Sequence, residues 1–452
     1  MKLPKEFISR YLEIFQDDFQ AFINGFNLPR SYGLRINPFK CSDITTNPYL
    51  SSILRPNPLV DDGYYYDENV KPGLHPYHFA GVYYIQDPSA MMVVENADIK
   101  PGEIVFDMCG APGGKSTHIL SKLQDQGLLI TNDILPKRAK VLSENIERWG
   151  RTNAIVISAD PTKLPEEFYG YFDKVIVDAP CSGEGMFRKD LEVMEKWSVK
   201  KIQSCALVQH SLLDAAYKLV KENGIIIYST CTFAPEENEE VIKSFLEKYP
   251  DVELLPTIKG YGIQDGLGEF KMCSRFYFHH FNGEGHFIAK LRKTSPTPSY
   301  RKTKSKSLKS ITKEQQALLN EFIDKYLVNF EIKYPIYEFN NHLYTLAYDG
   351  QVPNLDGINI LRYGLHLGEV KKDRFEPSHA LALYLNKEQV KYHVDFPHDS
   401  TEVRLYLKGE TITYPGNNHF TLITVDGFSL GWAKHVDSML KNYYPKGLRI
   451  VL

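Results

Sequence analysis

From Glu103 onward, short apolar runs alternate regularly with segments whose apolar positions recur at helical spacing. Ile104–Met108, Gly127–Thr131, Ala154–Ser158, Lys174–Asp178 and Ile225–Ser229 read as strands. Lys115–Leu123, Pro136–Trp149 and Cys205–Lys221 read as helices, the second with proline at a permitted first-turn position. Such alternation predicts an α/β fold, a parallel sheet covered by helices on both faces. Phe276–Phe278 and Gly285–Leu291 add two strands that close it. Upstream, Phe7–Ile23 reads as one helix, Gly33–Ile36, Gly63–Tyr66 and Gly81–Ile85 as short extended pieces, and Pro88–Asn96 as a helix.

Downstream, Lys293–Lys309 is rich in Ser, Thr, Pro, Lys and Arg and lacks any acid, the composition of an exposed linker. Its six basic residues also suit nonspecific phosphate contact. Thr312–Leu327 follows as a helix. The rest is short strands with turn signals at Tyr414–Asn418 and Asp426-Gly427. The expected division is an α/β extension over 1–100, a core over 101–292, a basic linker over 293–311, a small α/β module over 312–390 and a last module over 391–452. No internal repeat is visible.

Composition narrows the classes. The 452 residues are 43% hydrophobic and 24% charged, which is ordinary for large buried cores. The net charge of −3 gives no bulk signature of nucleic-acid binding, so any such footprint must be local. Six cysteines without a CxxC pair argue against a disulfide framework and a four-ligand zinc site, so no metal is expected. No long apolar stretch or signal-like start is present, so the expectation is a cytoplasmic monomer that avoids membranes.

Candidate chemistry gathers at strand ends. In Phe106–Ser116 (FDMCGAPGGKS) a glycine-rich turn joins a strand to a helix, bringing backbone and helix N–H groups close to a ligand. A Walker A loop would need glycine where Cys109 stands, and Gly110, Gly113 and Gly114 do not make GxGxxG. Asp133 lies about twenty residues past that turn, where a doubly wound fold puts the carboxylate that binds ribose hydroxyls. Asp160 follows the third strand and can reach the adenine side. Asp178 and Cys181 sit in Val177–Asp190 (VDAPCSGEGMFRKD) and Cys231 in Tyr228–Val241 (YSTCTFAPEENEEV). Open parallel sheets bind ligands beyond these carboxyl ends.

The CGAPGGK, DAPCSGEG and STCT segments, in this order, resemble the RNA cytosine-5 methyltransferases of the Nop/Sun family. LRINPFK (Leu34–Lys40) and YYIQDPSA (Tyr83–Ala90) extend the resemblance upstream. Val425–Arg449 is similar to the PUA-related tail of the bacterial RsmF-type rRNA enzymes. Two departures are Gly110, often alanine in the family, expected to add loop freedom, and Asp133, often glutamate.

The resemblance implies a Rossmann-like S-adenosylmethionine-dependent core between RNA-binding flanks, acting on rRNA or the small ribosomal subunit. Cys231 would attack carbon 6 of cytosine, and Cys181 would assist proton removal and release. Asp178 would hold the N3/N4 edge, and Lys115 would lie near the methyl group or the base. Cys109, Gly110, Ala111, Pro112, Gly113, Gly114 and Lys115, with Asp133, Asp160 and Asp178, would form the cofactor pocket, and Arg138 would help close it. In the tail, Lys434, His435, Lys441, Lys446 and Arg449 alternate with Phe428, Trp432, Tyr443 and Tyr444, a mix suited to phosphate contact and base stacking. Residues from Ser310 on are therefore expected to supply RNA affinity and to be removable without loss of cofactor binding. Two other readings are a DNA cytosine methyltransferase, in which Cys181 attacks, and a non-catalytic RNA-binding assembly factor. The second cysteine motif and the tail weigh against the first. The intact cysteine pair and cofactor loop weigh against the second.

Overall fold

The computed structural model describes residues 1–298 and 308–450. Residues 299–307 of the basic linker lie outside these residues. Its first residue, Lys293, is no linker: it ends a strand, is buried, and its ammonium donates to the Tyr217 carbonyl at 3.1 Å.

The central sheet has five parallel strands: β1 (Ile104–Asp107), β2 (Leu128–Asn132), β3 (Ala154–Ser158), β4 (Phe172–Asp178) and β5 (Val220–Thr230). β6 (Ser274–Phe276) and β7 (His286–Lys293) join antiparallel beyond β5. β8 (Asn359–Tyr363) comes from far downstream and pairs antiparallel with β3 at the opposite edge. The strand order is therefore 6-7-5-4-1-2-3-8, flanked by Gln264–Asp265 beside β6 and Val252–Leu255 beside β7. The order reverses between β1 and β4, and there adjacent connections leave to opposite faces and open a crevice at the carboxyl ends.

The helices follow from local chemistry. α4 (Pro136–Trp149) starts on proline and ends at Gly150, whose φ of 72° the left-handed cap requires. It buries Ala139, Leu142, Ile146 and Trp149 on one face against the sheet. α3 (Gly114–Leu123) and α5 (Val199–Leu219) complete the layers nearest the crevice.

The single helix expected over Phe7–Ile23 is two, α1 (Lys5–Phe15) and α2 (Phe19–Gly25). The break falls at Gln16, at φ 46°. It folds Phe7, Tyr11, Phe22 and Phe26 into one aromatic cluster with Phe187, Trp197 and Phe233 of the core. An unbroken helix could not bring Phe22 back to within 6.2 Å of Phe7.

An N-terminal antiparallel sheet (Tyr32–Ile36, Arg55–Pro56, Gly63–Tyr66, Tyr83–Ile85) shares an apolar core with the last sheet, which holds Phe420–Val425 and Phe428–Val436. The Tyr77 hydroxyl bonds Asp426 across that contact at 2.8 Å. The segment expected as a small module over 312–390 carries its own five-stranded sheet with Lys309–Ser310, yet also lends β8 to the core. Arg362 of β8 pairs with Glu147 of α4. Cutting at Ser310 thus strips an edge strand from the catalytic sheet, so the expected clean separation does not hold. No helix among the described residues is long and apolar enough to cross a membrane.

Candidate active site

The five parallel strands bring Cys109, Asp133, Asp160, Asp178 and Cys231 to one end of the sheet, and Cys181 follows three residues after β4 ends. Two cavities share Cys109. The first, of about 360 Å³, is lined by Asp133, Ile134, Arg138, Asp160, Leu207 and Val208 among others. The second, of about 260 Å³, holds Lys115, Asp178, Cys231 and His286 with the turn residues Gly110, Ala111, Pro112 and Gly114. The expected cofactor set is thus divided: Asp133, Asp160 and Arg138 face one chamber, Lys115 and Asp178 the other. Gly113 lines neither, and instead starts the turn into α3.

Gly110 is a matter of space rather than loop freedom. A Cβ there would collide with the Thr131 hydroxyl and crowd that of Ser116. The Gly110 N–H instead donates to the Asn132 carbonyl at 2.7 Å, tying the turn to β2. Arg138 fixes the other side: its guanidinium donates to the Ala111 carbonyl at 2.9 Å and pairs with Asp133 at 3.3 Å. Asp133 is 2% exposed and also accepts the Leu135 N–H at 3.0 Å. Asp160 accepts from Thr162 N–H at 3.1 Å and pairs with Lys163 at 3.1 Å. The first chamber therefore has acids along one wall and an apolar wall of Leu207 and Val208 from α5, which suits a ribose joined to a flat heterocycle.

In the second chamber Lys115 Nζ lies 2.5 Å from Asp178 Oδ2, and Ser229 Oγ donates to Asp178 Oδ1 at 2.8 Å. Burial alone would raise the Asp178 carboxyl, but Lys115, His286 and the Ser229 hydroxyl together outweigh it and hold the pKa below the ordinary value. Burial would likewise lower the Lys115 ammonium, yet Asp178, Asp107 and the Cys231 thiol raise it. Lys115 is thus a buried positive charge in the chamber that also holds Cys231. The Cys181 and Cys231 sulfurs are 3.2 Å apart. That contact and burial push the Cys181 thiol well up, so Cys181 keeps its proton. Burial also raises Cys109, reinforced by Asp107 and Asp178, which leaves it an inert thiol.

Four buried groups beneath the site were missed in the sequence. Asp107 accepts from Ser116 Oγ at 2.6 Å, and burial pushes its pKa to about 7. Glu184 accepts from Thr232 Oγ1 at 2.8 Å, Phe233 N–H at 2.9 Å, Trp197 Nε1 at 2.9 Å and the Tyr11 hydroxyl. Glu237 accepts from Ser182 N–H at 2.9 Å and Gln209 at 3.0 Å, and its burial gives a pKa of about 7. These two glutamates tie the Cys181 loop to the Cys231 loop and both to α1. The fourth, His286, opens β7. A signal existed for two of them: the Gly-Glu-Gly triplet recurs at 183–185 and 283–285, and the second is followed by His286. In the tail, Trp432, Tyr444 and His435 are buried, so they form core rather than a stacking surface. Trp432 Nε1 donates to the Ser378 carbonyl at 2.9 Å. Tyr443, Lys441 and Lys446 remain exposed.

Comparison with known proteins covers the whole chain. The family described as 16S rRNA methyltransferase RsmB/F matches residues 95–292, and the N-terminal domain of 16S rRNA methyltransferase RsmF matches 3–88. The RsmF first C-terminal domain matches 321–385 and the methyltransferase RsmF PUA domain 394–450. Ribosomal RNA small subunit methyltransferase F of Vibrio cholerae serotype O1 is 30% identical over 99% of this chain and 98% of its own. The protein of that name from Erwinia tasmaniensis is 30% identical over 98% and 96%. Among solved structures, a methyltransferase homologue from Pyrococcus horikoshii superposes with a TM-score of 0.57 at 30% identity, covering 64% of this chain and 95% of that one.

Proposed function

Given that the chain belongs to the RsmB/F family of 16S rRNA methyltransferases and is S-adenosylmethionine-dependent, we propose that it methylates carbon 5 of a cytosine through a covalent adduct on Cys231. The observation that carries this reading is the second chamber: a cysteine sharing a cavity with a buried ammonium, and a second cysteine sulfur 3.2 Å away. Carbon 5 of cytosine is a poor nucleophile. Thiolate addition at carbon 6 breaks the ring's conjugation and makes carbon 5 able to attack a sulfonium methyl. The proton at carbon 5 must then leave and the carbon–sulfur bond break.

The chain's residues suit these steps. Lys115 lies near the methyl group or the base, Asp178 faces the base's N3/N4 edge, and Cys181 assists proton removal and release. The first chamber would hold the adenosyl part, Asp133 binding ribose hydroxyls with Arg138 closing the turn above it and Asp160 toward the adenine. When bound, S-adenosylmethionine supplies an electrophilic methyl group. A base stacked in a helix cannot present carbon 6, so the target is unpaired or flipped out. The N-terminal extension and the PUA-type tail would hold the rRNA through exposed residues such as Lys441, Lys446 and Tyr443. Six unpaired cysteines fit a reducing cytoplasm.

The two cysteines provide the test. Cys231→Ala should abolish methylation and leave no protein–RNA adduct. Cys181→Ala should still attack and transfer methyl but stall at elimination, so a covalent complex survives denaturing electrophoresis. The double variant should show none. An inverted pattern would make Cys181 the nucleophile and overturn the assignment of roles.

A further inference from the structure

His286 is 5% exposed, yet it lines the second chamber and its Nε2 has no hydrogen-bond partner. The turn before it is held rigidly. Glu284 pairs with Arg188 at 3.1 Å and Arg30 at 3.3 Å, and its N–H donates to Asp87 at 3.1 Å. Gly285 packs backbone to backbone on Gly185 of the Cys181 loop, so tightly that a Cβ on either would collide with the other. In the Nδ1–H tautomer, Nε2 presents a lone pair. Burial first, then the Lys115 charge, lowers the ring's pKa to about 4, so it is neutral at physiological pH.

Opposite Nε2, at 3.9 Å, stands Asp178 Oδ1. In that tautomer two acceptors face each other, Asp178 Oδ1 holding the Ser229 hydroxyl besides. They are too far apart to bond, yet close enough for a single nitrogen to lie within about 3 Å of both. Such a nitrogen must carry two hydrogens. The exocyclic amine of cytosine does, whereas the corresponding oxygen of uracil would meet two acceptors and be repelled.

We infer that His286 Nε2 and Asp178 together accept the two amine hydrogens of the target cytosine, making His286 a specificity-determining residue for cytosine over uracil. This rests on cytosine being the target, as proposed above.

The test is single-turnover methyl transfer to an rRNA fragment with either cytosine or 2-pyrimidinone (cytosine without its amine) at the position the wild-type protein modifies. His286→Phe should slow transfer to cytosine roughly ten- to a hundredfold, the cost of an unpaired buried polar group. Transfer to 2-pyrimidinone should change by less than about threefold, since that base has no amine to lose. His286→Gln, which restores an acceptor, should recover part of the cytosine rate. Unchanged S-adenosylmethionine affinity by calorimetry confirms that each variant is folded. Equal losses on both bases, or no loss on cytosine, would overturn the inference while leaving the proposed reaction intact. A wild-type protein that leaves carbon 5 unmethylated would remove both.

Discussion

Replacing Glu184 by glutamine changes one atom in the hub beneath the cysteines, and the structure says what that atom costs. The carboxylate is fully buried and receives four donors, Trp197 on one oxygen and Tyr11, Thr232 and Phe233 on the other. Glutamine has one acceptor oxygen. In its better orientation that oxygen keeps the three donors, and its NH2 group faces the Trp197 N–H. Two donors are then orphaned, at about 1–3 kcal/mol each. A neutral amide is cheaper to bury than a carboxylate, which offsets part of this, so the net loss should be about 2–4 kcal/mol. The segment just after Cys231 is held by the same hub, so methyl transfer should also slow. Binding of S-adenosylmethionine should persist, because Asp133 and the glycine-rich turn do not touch Glu184. Urea unfolding, calorimetry with S-adenosylmethionine and methyl transfer to rRNA measure the three effects. A Glu184→Gln protein within about 0.5 kcal/mol of wild type, with an unchanged transfer rate, would refute the view that this hub positions the cysteines.

Two further outcomes follow from the chambers. Asp133→Ala should weaken S-adenosylmethionine binding by removing the ribose acceptor and unpairing Arg138, while Cys231→Ala leaves it nearly intact; calorimetry giving the reverse order would sink the pocket assignment. Asp107 has a folded pKa of about 7 against 3.8 for the free side chain, so the folded state retains a proton between those values that the unfolded chain has released. Stability therefore falls as pH rises through that window, and Asp107→Asn should gain on wild type from about pH 4 to about pH 7, levelling at no more than about 4 kcal/mol. A stability difference that is flat with pH would contradict the burial cause.

Much of the core was legible because its strands and helices differ in apolar period and its chemistry sits in contiguous motifs. Pro136–Trp149 could be bounded to the residue, since proline and glycine mark both ends. The break at Gln16 had no such mark: both halves of 7–23 keep helical spacing, and only the aromatic cluster with Trp197 requires the turn. The tail aromatics misled for a related reason. Alternation of basic and aromatic residues is the same for a stacking surface and for a strand with one buried face, and Trp432 and Tyr444 proved to be the buried face. Glu184, Glu237 and Asp107 were hidden because an acid in a polar stretch reads as solvated, and only the folded arrangement gathers donors around it. The division of the ligand-facing residues into two chambers is likewise a product of the sheet's reversal point, which no local pattern encodes.

The strand β8 also sets an order of events in synthesis. It lies roughly two hundred residues after the β3 edge that it covers. At roughly 5–20 residues per second, a nascent chain carries that edge bare for on the order of ten seconds or more. Unpaired edges are templates for wrong partners, including a neighbouring copy on the same messenger. The loop holding Asp160 leaves β3 beside this edge, so one wall of the first chamber is the last to gain its support. A polypeptide halted at residue 292 would contain every motif of the reaction and still lack the piece that seals the sheet.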